Sequence, residues 1–111
     1  MDTVSIDSRS LYAQLGSAGA PHILDTRKDK AYDADDRVLP ATIRTGPDPS
    51  AFAEGTAPGR PIVVYCVYGH EVGRVTAMRL RAQGLTARFL LGGIDAWQQA
   101  GHPLEPKEVA P

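Results

Sequence analysis

The stretch Ile62-Val63-Val64-Tyr65-Cys66-Val67-Tyr68-Gly69-His70-Glu71-Val72 contains the strongest structural signal in the chain. Its first four residues are β-branched or aromatic, which is typical of a buried strand, and the only cysteine follows them directly. Gly69 lies three positions later, and the residues from Val72 onward are compatible with a helix. A loop between a strand and a helix N-terminus presents unpaired N–H groups, which stabilise an anionic sulfur. The pattern alone leaves open whether Cys66 is a nucleophile or a small side chain used for packing.

Short apolar runs alternate with helix-compatible segments along the rest of the chain. We predict strands at 4–6, 22–24, 38–43, 62–65 and 87–91, and helices at 8–15, 29–36, 49–54, 72–83 and 94–100. Ser8 or Ser10 is the predicted cap of the first helix, and Asp48 is that of the third. This alternation indicates an α/β domain with a mainly parallel sheet, whose functional sites form at the carboxyl ends of strands. Cys66 follows such an end.

The predicted helix at 72–83 has no single apolar side. Its apolar residues fall into one group of three and three scattered positions, namely Val75, Met78 and Ala82 against Val72, Ala77 and Leu80. Three basic residues of the same segment are expected to form a solvated face: Arg74, Arg79 and Arg81. Because the two sets of apolar residues are of equal size, the periodicity does not decide which side of the helix is buried.

The 111 residues fit one compact domain with a formal net charge of -1. We expect the domain to span 1–104 and a flexible C-terminal tail to follow at 105–111, because this end is rich in proline and poor in apolar side chains. A near-neutral chain argues against a nucleic-acid partner. The first twenty residues have no continuous apolar segment, and one cysteine cannot form an internal disulfide. We therefore expect a cytoplasmic protein without a membrane partner.

Four segments resemble motifs of the rhodanese family of sulfurtransferases, and the resemblance covers roughly residues 4–104. They are Ile23-Leu24-Asp25-Thr26-Arg27, Val38-Leu39-Pro40-Ala41, Tyr65-Cys66-Val67-Tyr68-Gly69, and Leu91-Gly92-Gly93-Ile94-Asp95-Ala96-Trp97 followed by Gly101-His102-Pro103. The last two, in the correct order and spacing, are the most specific. The resemblance implies a single rhodanese-like domain with a mainly parallel five-stranded central sheet and helices on both faces.

The resemblance also implies covalent sulfur transfer through Cys66. Its thiolate attacks the sulfane sulfur of a small donor, and the resulting persulfide gives the outer sulfur to a thiol, to cyanide or to a protein acceptor. The anion is expected to be held by the amides of six consecutive residues, Val67, Tyr68, Gly69, His70, Glu71 and Val72. No cofactor is needed.

The length of the loop distinguishes this chain from related phosphatases. Six residues, 66–71, precede the predicted helix, which is the length associated with sulfur transfer. The cell-cycle phosphatases and arsenate reductases that share the fold have a loop one residue longer that ends in arginine. No arginine lies within 66–73, so phosphate chemistry is not expected.

The loop departs from that of members that use thiosulfate, which commonly place a basic residue there. This chain has Val67, His70 and Glu71 instead, and a histidine at its ordinary pKa is mostly neutral at pH 7. The charge of Glu71 repels both a thiolate and a dianionic donor. We therefore expect thiosulfate to be a poor donor, and a neutral or larger persulfide or polysulfide to be a better one.

Two further residues are expected to support the site. Asp25 ends a strand beside the cysteine strand in the family's sheet. We expect its carboxylate to hold the loop after Cys66 by accepting from the N–H groups of that loop, with proton transfer as the alternative. Arg27 is expected to form a scaffold ion pair. Its partner is undecided, because the glutamate usual in the family is replaced near Ala31.

Three aromatic or imidazole side chains have open roles. His70 either pairs with the thiolate or guides the donor, or it is an exposed or Glu71-paired imidazole without a functional role. Tyr68 either walls the pocket or lies on the surface. Trp97 is expected to pack in the core, since it lies at helical spacing from Ile94.

Other functions fit the sequence less well. The three histidines are far apart in the sequence and only one thiol is present, so no metal site is expected. The main alternative is a non-catalytic rhodanese-fold module for interaction or stress sensing. A role in chromate or arsenate stress is a third hypothesis, although the lack of a second cysteine argues against an independent disulfide-cycling reductase.

Overall fold

The central sheet of the protein contains five parallel strands. The computed structural model describes residues 4–56, 59–69 and 71–107, and only the backbone of Glu71. In spatial order the strands are β1 (Ser5–Ile6), β6 (Ala87–Leu90), β5 (Ile62–Tyr65), β2 (His22–Asp25) and β4 (Thr42–Arg44). Every neighbouring pair is parallel. The predicted α/β fold is therefore confirmed, and the cysteine strand β5 is its middle strand.

The described residues form five helices: α1 (Ser8–Gln14), α2 (Asp29–Asp33), α3 (Ser50–Glu54), α4 (Glu71–Ala82) and α5 (Gly93–Gln99). Four of them cover the sheet, α1 and α5 on one face and α3 and α4 on the other. Side chains of β5 alternate between two separate apolar clusters, as the pleat of a strand requires. Val63 and Tyr65 pack with residues of α1 and α5, including Trp97. Ile62 and Val64 pack with residues of α3 and α4.

The apolar residues of α4 are divided between core and surface. Ala77 and Leu80 are buried, whereas Val72, Val75 and Met78 are each close to half exposed. The buried side of α4, which the sequence left undecided, is therefore the side that carries Ala77 and Leu80. It packs against β5 and β6, next to Val64 and Phe89.

The cap of α1 differs from the predicted one, and α3 begins one residue later than predicted. The cap of α1 is Asp7, whose carboxylate accepts a hydrogen bond from the amide of Ser10 at 2.7 Å. Ser8 and Ser10 are thus inside the helix, and the prediction that one of them is the cap was wrong. The helix α3 begins at Ser50, whose amide donates to the carboxylate of Asp48 at 3.0 Å.

The predicted strand at 38–43 is interrupted. It consists of β3 (Arg37–Val38) and β4, and Leu39, Pro40 and Ala41 separate them. Proline cannot donate a backbone hydrogen bond to a sheet, and Ala41 has a positive φ of 59°. The chain therefore turns here, and only its second half joins the central sheet.

The expected free tail is attached to the domain as far as Lys107. Glu105–Pro106 forms β7, which pairs antiparallel with β3. The amide of Lys107 donates to the carbonyl of Asp36 at 2.9 Å, and its Nζ donates to the carbonyl of Tyr32 at 2.8 Å. The prediction of a flexible tail from 105 was wrong for these three residues, since an edge pair of this kind tolerates proline. Residues 108–111 lie outside the described residues.

Candidate active site

Cys66 lies at the carboxyl end of β5, directly after the buried Tyr65. It is partly exposed and lines a pocket of about 460 Å³. The described residues that form the pocket are Arg27, Lys28, Ala31, Cys66, Val67, Tyr68, Gly69 and Val72. Because β5 is the middle strand, the pocket lies at the centre of the sheet's carboxyl edge, where parallel sheets form their sites.

The sulfur of Cys66 accepts a hydrogen bond from the amide of Gly69, with an Sγ–N distance of 3.1 Å. Gly69 has a φ of +64°, and a Cβ on it would lie only 2.3 Å from the carbonyl oxygen of Leu90. Glycine is therefore required here both by the backbone conformation and by the available space. This contact belongs to the predicted amide cradle, whose other members remain predictions. His70 and the side chain of Glu71 lie outside the described residues.

The first turn of α5 binds the loop after β5 through the backbone carbonyls of that loop. The amide of Ile94 donates to the carbonyl of Cys66, and that of Asp95 donates to the carbonyl of Val67, both at 3.0 Å. In a planar trans peptide the N–H points opposite to the C=O. The N–H groups of Val67 and Tyr68 therefore point away from α5.

This contact depends on Gly93. Its φ is +61°, and a Cβ on it would lie 2.4 Å from the carbonyl oxygens of both Cys66 and Val67. We expect Gly93→Ala to lower the free energy of unfolding by about 2–4 kcal/mol, because left-handed strain adds to overpacking. Gly101→Ala is the matched control, since Gly101 has a φ of +79° with no atom within 4 Å. Urea denaturation measures both, and equal losses in the two variants would show that the close contact with the loop is unimportant.

A buried ion pair lies at one wall of the pocket. Both oxygens of Asp25 accept hydrogen bonds from the guanidinium of Arg27, the shortest at 2.7 Å from Nη2, and Oδ1 also accepts from its amide. Nη1 of Arg27 donates to Asp35 at 3.2 Å. Burial alone would lower the pKa of Arg27, but the hydrogen bonds and charge of Asp25 outweigh it and raise that pKa.

These contacts revise the expected role of Asp25. Its carboxylate is bound to Arg27 rather than to amides of the described part of the loop. The reason is proximity, because a side chain two residues away on the same strand end reaches both carboxylate oxygens. Arg27 forms a scaffold ion pair as predicted. Its partners are the carboxylates of Asp25 and Asp35, which take the place of the family's usual glutamate near Ala31.

Two residues of the site had not been predicted. Thr26 donates from its amide and from Oγ1 to the carbonyl of Tyr65, at 2.9 and 3.0 Å, and so fixes the residue before Cys66. Lys28 lines the pocket as an exposed cation. The signal for Thr26 was available, since a hydroxyl between Asp25 and Arg27 lies at the end of a buried strand.

Residues 8–100 match the sequence model of the Rhodanese-like domain. The chain belongs to the rhodanese-like domain family. A rhodanese-related protein from Thermoplasma volcanium has a similar structure, with a TM-score of 0.78, 20% sequence identity and coverage of 93% of this chain and 98% of that one. A rhodanese-like domain protein from Staphylococcus aureus has a TM-score of 0.75 and 23% identity, with 94% and 98% covered.

One similar structure belongs to a protein described as an enzyme. It is a thiosulfate sulfurtransferase from Pseudomonas aeruginosa, with a TM-score of 0.75 and 25% identity over 95% of this chain. This rhodanese-like domain corresponds to only 20% of the length of that enzyme. No sequence among curated proteins matches the chain significantly. The comparisons establish a sulfurtransferase-type fold.

The structure of this rhodanese-like domain also places the two aromatic residues Tyr68 and Trp97. Tyr68 lines the pocket and is 60% exposed, so it is both a wall and a surface residue. Trp97 is fully buried and its Nε1 donates to the carbonyl of Pro103 at 2.8 Å, which confirms its packing role.

Within the described residues, no three His, Cys, Asp or Glu side chains are grouped to bind a metal. In the same part of the chain, no helix has the length and hydrophobicity needed to cross a membrane.

Proposed function

We propose that this domain is a sulfurtransferase that transfers a sulfane sulfur through a persulfide on Cys66. The observation that supports the proposal best is the position of Sγ, which is accessible from the pocket and accepts the Gly69 amide at 3.1 Å. A hydrogen-bond donor aimed at the sulfur stabilises its anionic form and the anionic persulfide that follows. A cysteine that serves only for packing needs neither the pocket nor the donor.

The reaction consists of two displacements. In the first, the Cys66 thiolate attacks the outer sulfur of a persulfide donor RSSH, a new S–S bond forms, and the donor's own S–S bond breaks as RS⁻ leaves with its electron pair. In the second, an acceptor thiolate or cyanide attacks the outer sulfur of the Cys66 persulfide. The thiolate of Cys66 is then the leaving group, and the enzyme returns to its first state.

The lining of the pocket favours a larger persulfide donor over thiosulfate. Of the two cations among the described lining residues, Arg27 is already paired with the carboxylates of Asp25 and Asp35, and Lys28 is exposed. The walls are otherwise largely apolar, and a volume of about 460 Å³ equals that of about fifteen water molecules in the liquid. A small dianion would leave most of this space unfilled and would contact little of the apolar wall, whereas a persulfide with a carbon chain buries apolar surface against it.

The rate at which Cys66 acquires sulfur tests the choice of donor. We expect glutathione persulfide to load Cys66 at least about tenfold faster than thiosulfate at equal concentration, a difference of about 1.4 kcal/mol in the barrier. Rapid quenching followed by mass spectrometry of the intact protein measures both rates. Faster loading by thiosulfate would reject this donor preference. If neither compound loads Cys66, the alternative of a non-catalytic interaction or sensing module is favoured.

A further inference from the structure

Lys28 occupies a distinctive position in the pocket. It follows Arg27 directly and is the N-cap residue of α2, where its carbonyl accepts the amide of Tyr32 at 2.9 Å. Its backbone is therefore fixed, while its side chain is exposed and lines the same pocket as Cys66. The fold thus places Lys28 in the wall of the pocket that contains the sulfur.

The charge of Lys28 is available to a ligand. Arg27, the other cation among the described residues of the pocket, is only 2% exposed and is bound by two carboxylates. Lys28 forms no ion pair in the described part of the chain. An ammonium group has three donors, and a carboxylate is a natural acceptor for them.

Apolar side chains occupy the rest of the pocket wall. Ala31, Val67, Tyr68 and Val72 line it together with Cys66 and Lys28. A ligand that fits this arrangement has a reactive sulfur at one end, a carbon chain against the apolar wall, and an anionic group at the other end. Simple thiosulfate has no such carbon chain.

We infer that Lys28 selects persulfide donors that bear a carboxylate, by pairing with that carboxylate while the sulfane sulfur meets Cys66. The inference rests on the proposed sulfur transfer and adds the chemical class of the donor to it. Lys28 is a specificity residue in this scheme, because it contacts the donor away from the bond that breaks. Its effect is electrostatic, so it weakens as salt screens the pair.

Two matched donors and two matched variants test this role. The donors are the persulfides of 3-mercaptopropionate, which has a carboxylate, and of 2-mercaptoethanol, which is neutral. The variants are Lys28→Gln and, as control, Lys30→Gln, since Lys30 is exposed on the same helix and does not line the pocket. The measurement is the initial rate of sulfur transfer to cyanide against donor concentration, corrected for the reaction without enzyme.

We expect Lys28→Gln to raise KM for the acidic donor about three- to fivefold, the range of an exposed charge pair, and to leave its kcat nearly unchanged. The neutral donor and the Lys30→Gln variant should show wild-type KM values, and high salt should remove the preference of the wild type for the acidic donor. Equal KM values for the acidic donor in Lys28→Gln and Lys30→Gln would overturn the inference, and so would an equal loss for both donors. A wild-type protein that takes sulfur from neither donor would overturn the proposed function as well.

Discussion

Cys66→Ser is expected to abolish sulfur transfer and to leave the fold intact. Serine is nearly the same size, but its hydroxyl is not ionised at neutral pH and its oxygen cannot accept and release a sulfane sulfur. We expect the rate above background to fall at least about a thousandfold, as is usual when a covalent nucleophile is removed. Steady-state transfer from glutathione persulfide measures this loss.

Thermal unfolding of the same variant separates chemistry from stability. Cys66 is partly exposed, so we expect the midpoint of Cys66→Ser to lie close to that of the wild type. Retention of a tenth or more of the wild-type rate would mean that sulfur transfer does not pass through this residue. A folded, inactive variant is the outcome that the persulfide scheme requires.

Asp25→Ala is expected to be the most destabilising of the charge deletions. The side chains of Asp25 and Arg27 are essentially fully buried, and removal of the carboxylate leaves a guanidinium without its main partner. Breaking a buried pair in this way costs about 3–5 kcal/mol. Urea denaturation measures the loss, which should also move the end of β2 beside the cysteine loop.

Asp29→Ala is the matched control for this deletion. Asp29 also pairs with an arginine, at 2.9 Å from Nη2 of Arg44, but its side chain is 93% exposed. An exposed pair of this kind contributes at most about 1 kcal/mol. Similar losses in Asp25→Ala and Asp29→Ala would show that the buried pair is not what holds this wall of the pocket.

Local patterns in the sequence were sufficient for the core of the fold. β5 was identifiable because all four of its residues are β-branched or aromatic and none is charged, and the structure buries all four. The parallel arrangement followed from the alternation of such runs with helices. The place of Gly69 in the loop around the sulfur followed from its position three residues after Cys66. These features depend on residues that are close together in the chain.

Pairings between distant segments could not be predicted in the same way. β3 and β7 are two residues long, so neither has a measurable periodicity, and they join positions 38 and 105. Asp35 becomes a partner of Arg27 only when α2 folds over the strand end. The exposed Val72, Val75 and Met78 resemble core residues in the sequence, because an amphipathic pattern records hydrophobicity and not contact.

The contribution of Gly93 to the site also depends on tertiary structure. The Gly92-Gly93 pair was recognised only as part of a family motif, whereas the close approach of Gly93 to the carbonyls of Cys66 and Val67 brings α5 against a loop more than twenty residues earlier in the sequence. Lys28 similarly reaches the pocket from a different strand end. Sequence located the candidate nucleophile, Cys66, whereas the structure supplied the residues that position and surround it.

The mass of the intact protein after brief exposure to glutathione persulfide tests the central claim most directly. The account predicts that the wild type gains one sulfur atom, that this sulfur is released by cyanide, and that Cys66→Ser gains none. A wild-type protein whose mass is unchanged under conditions where Cys66 reacts with an alkylating reagent would contradict the account.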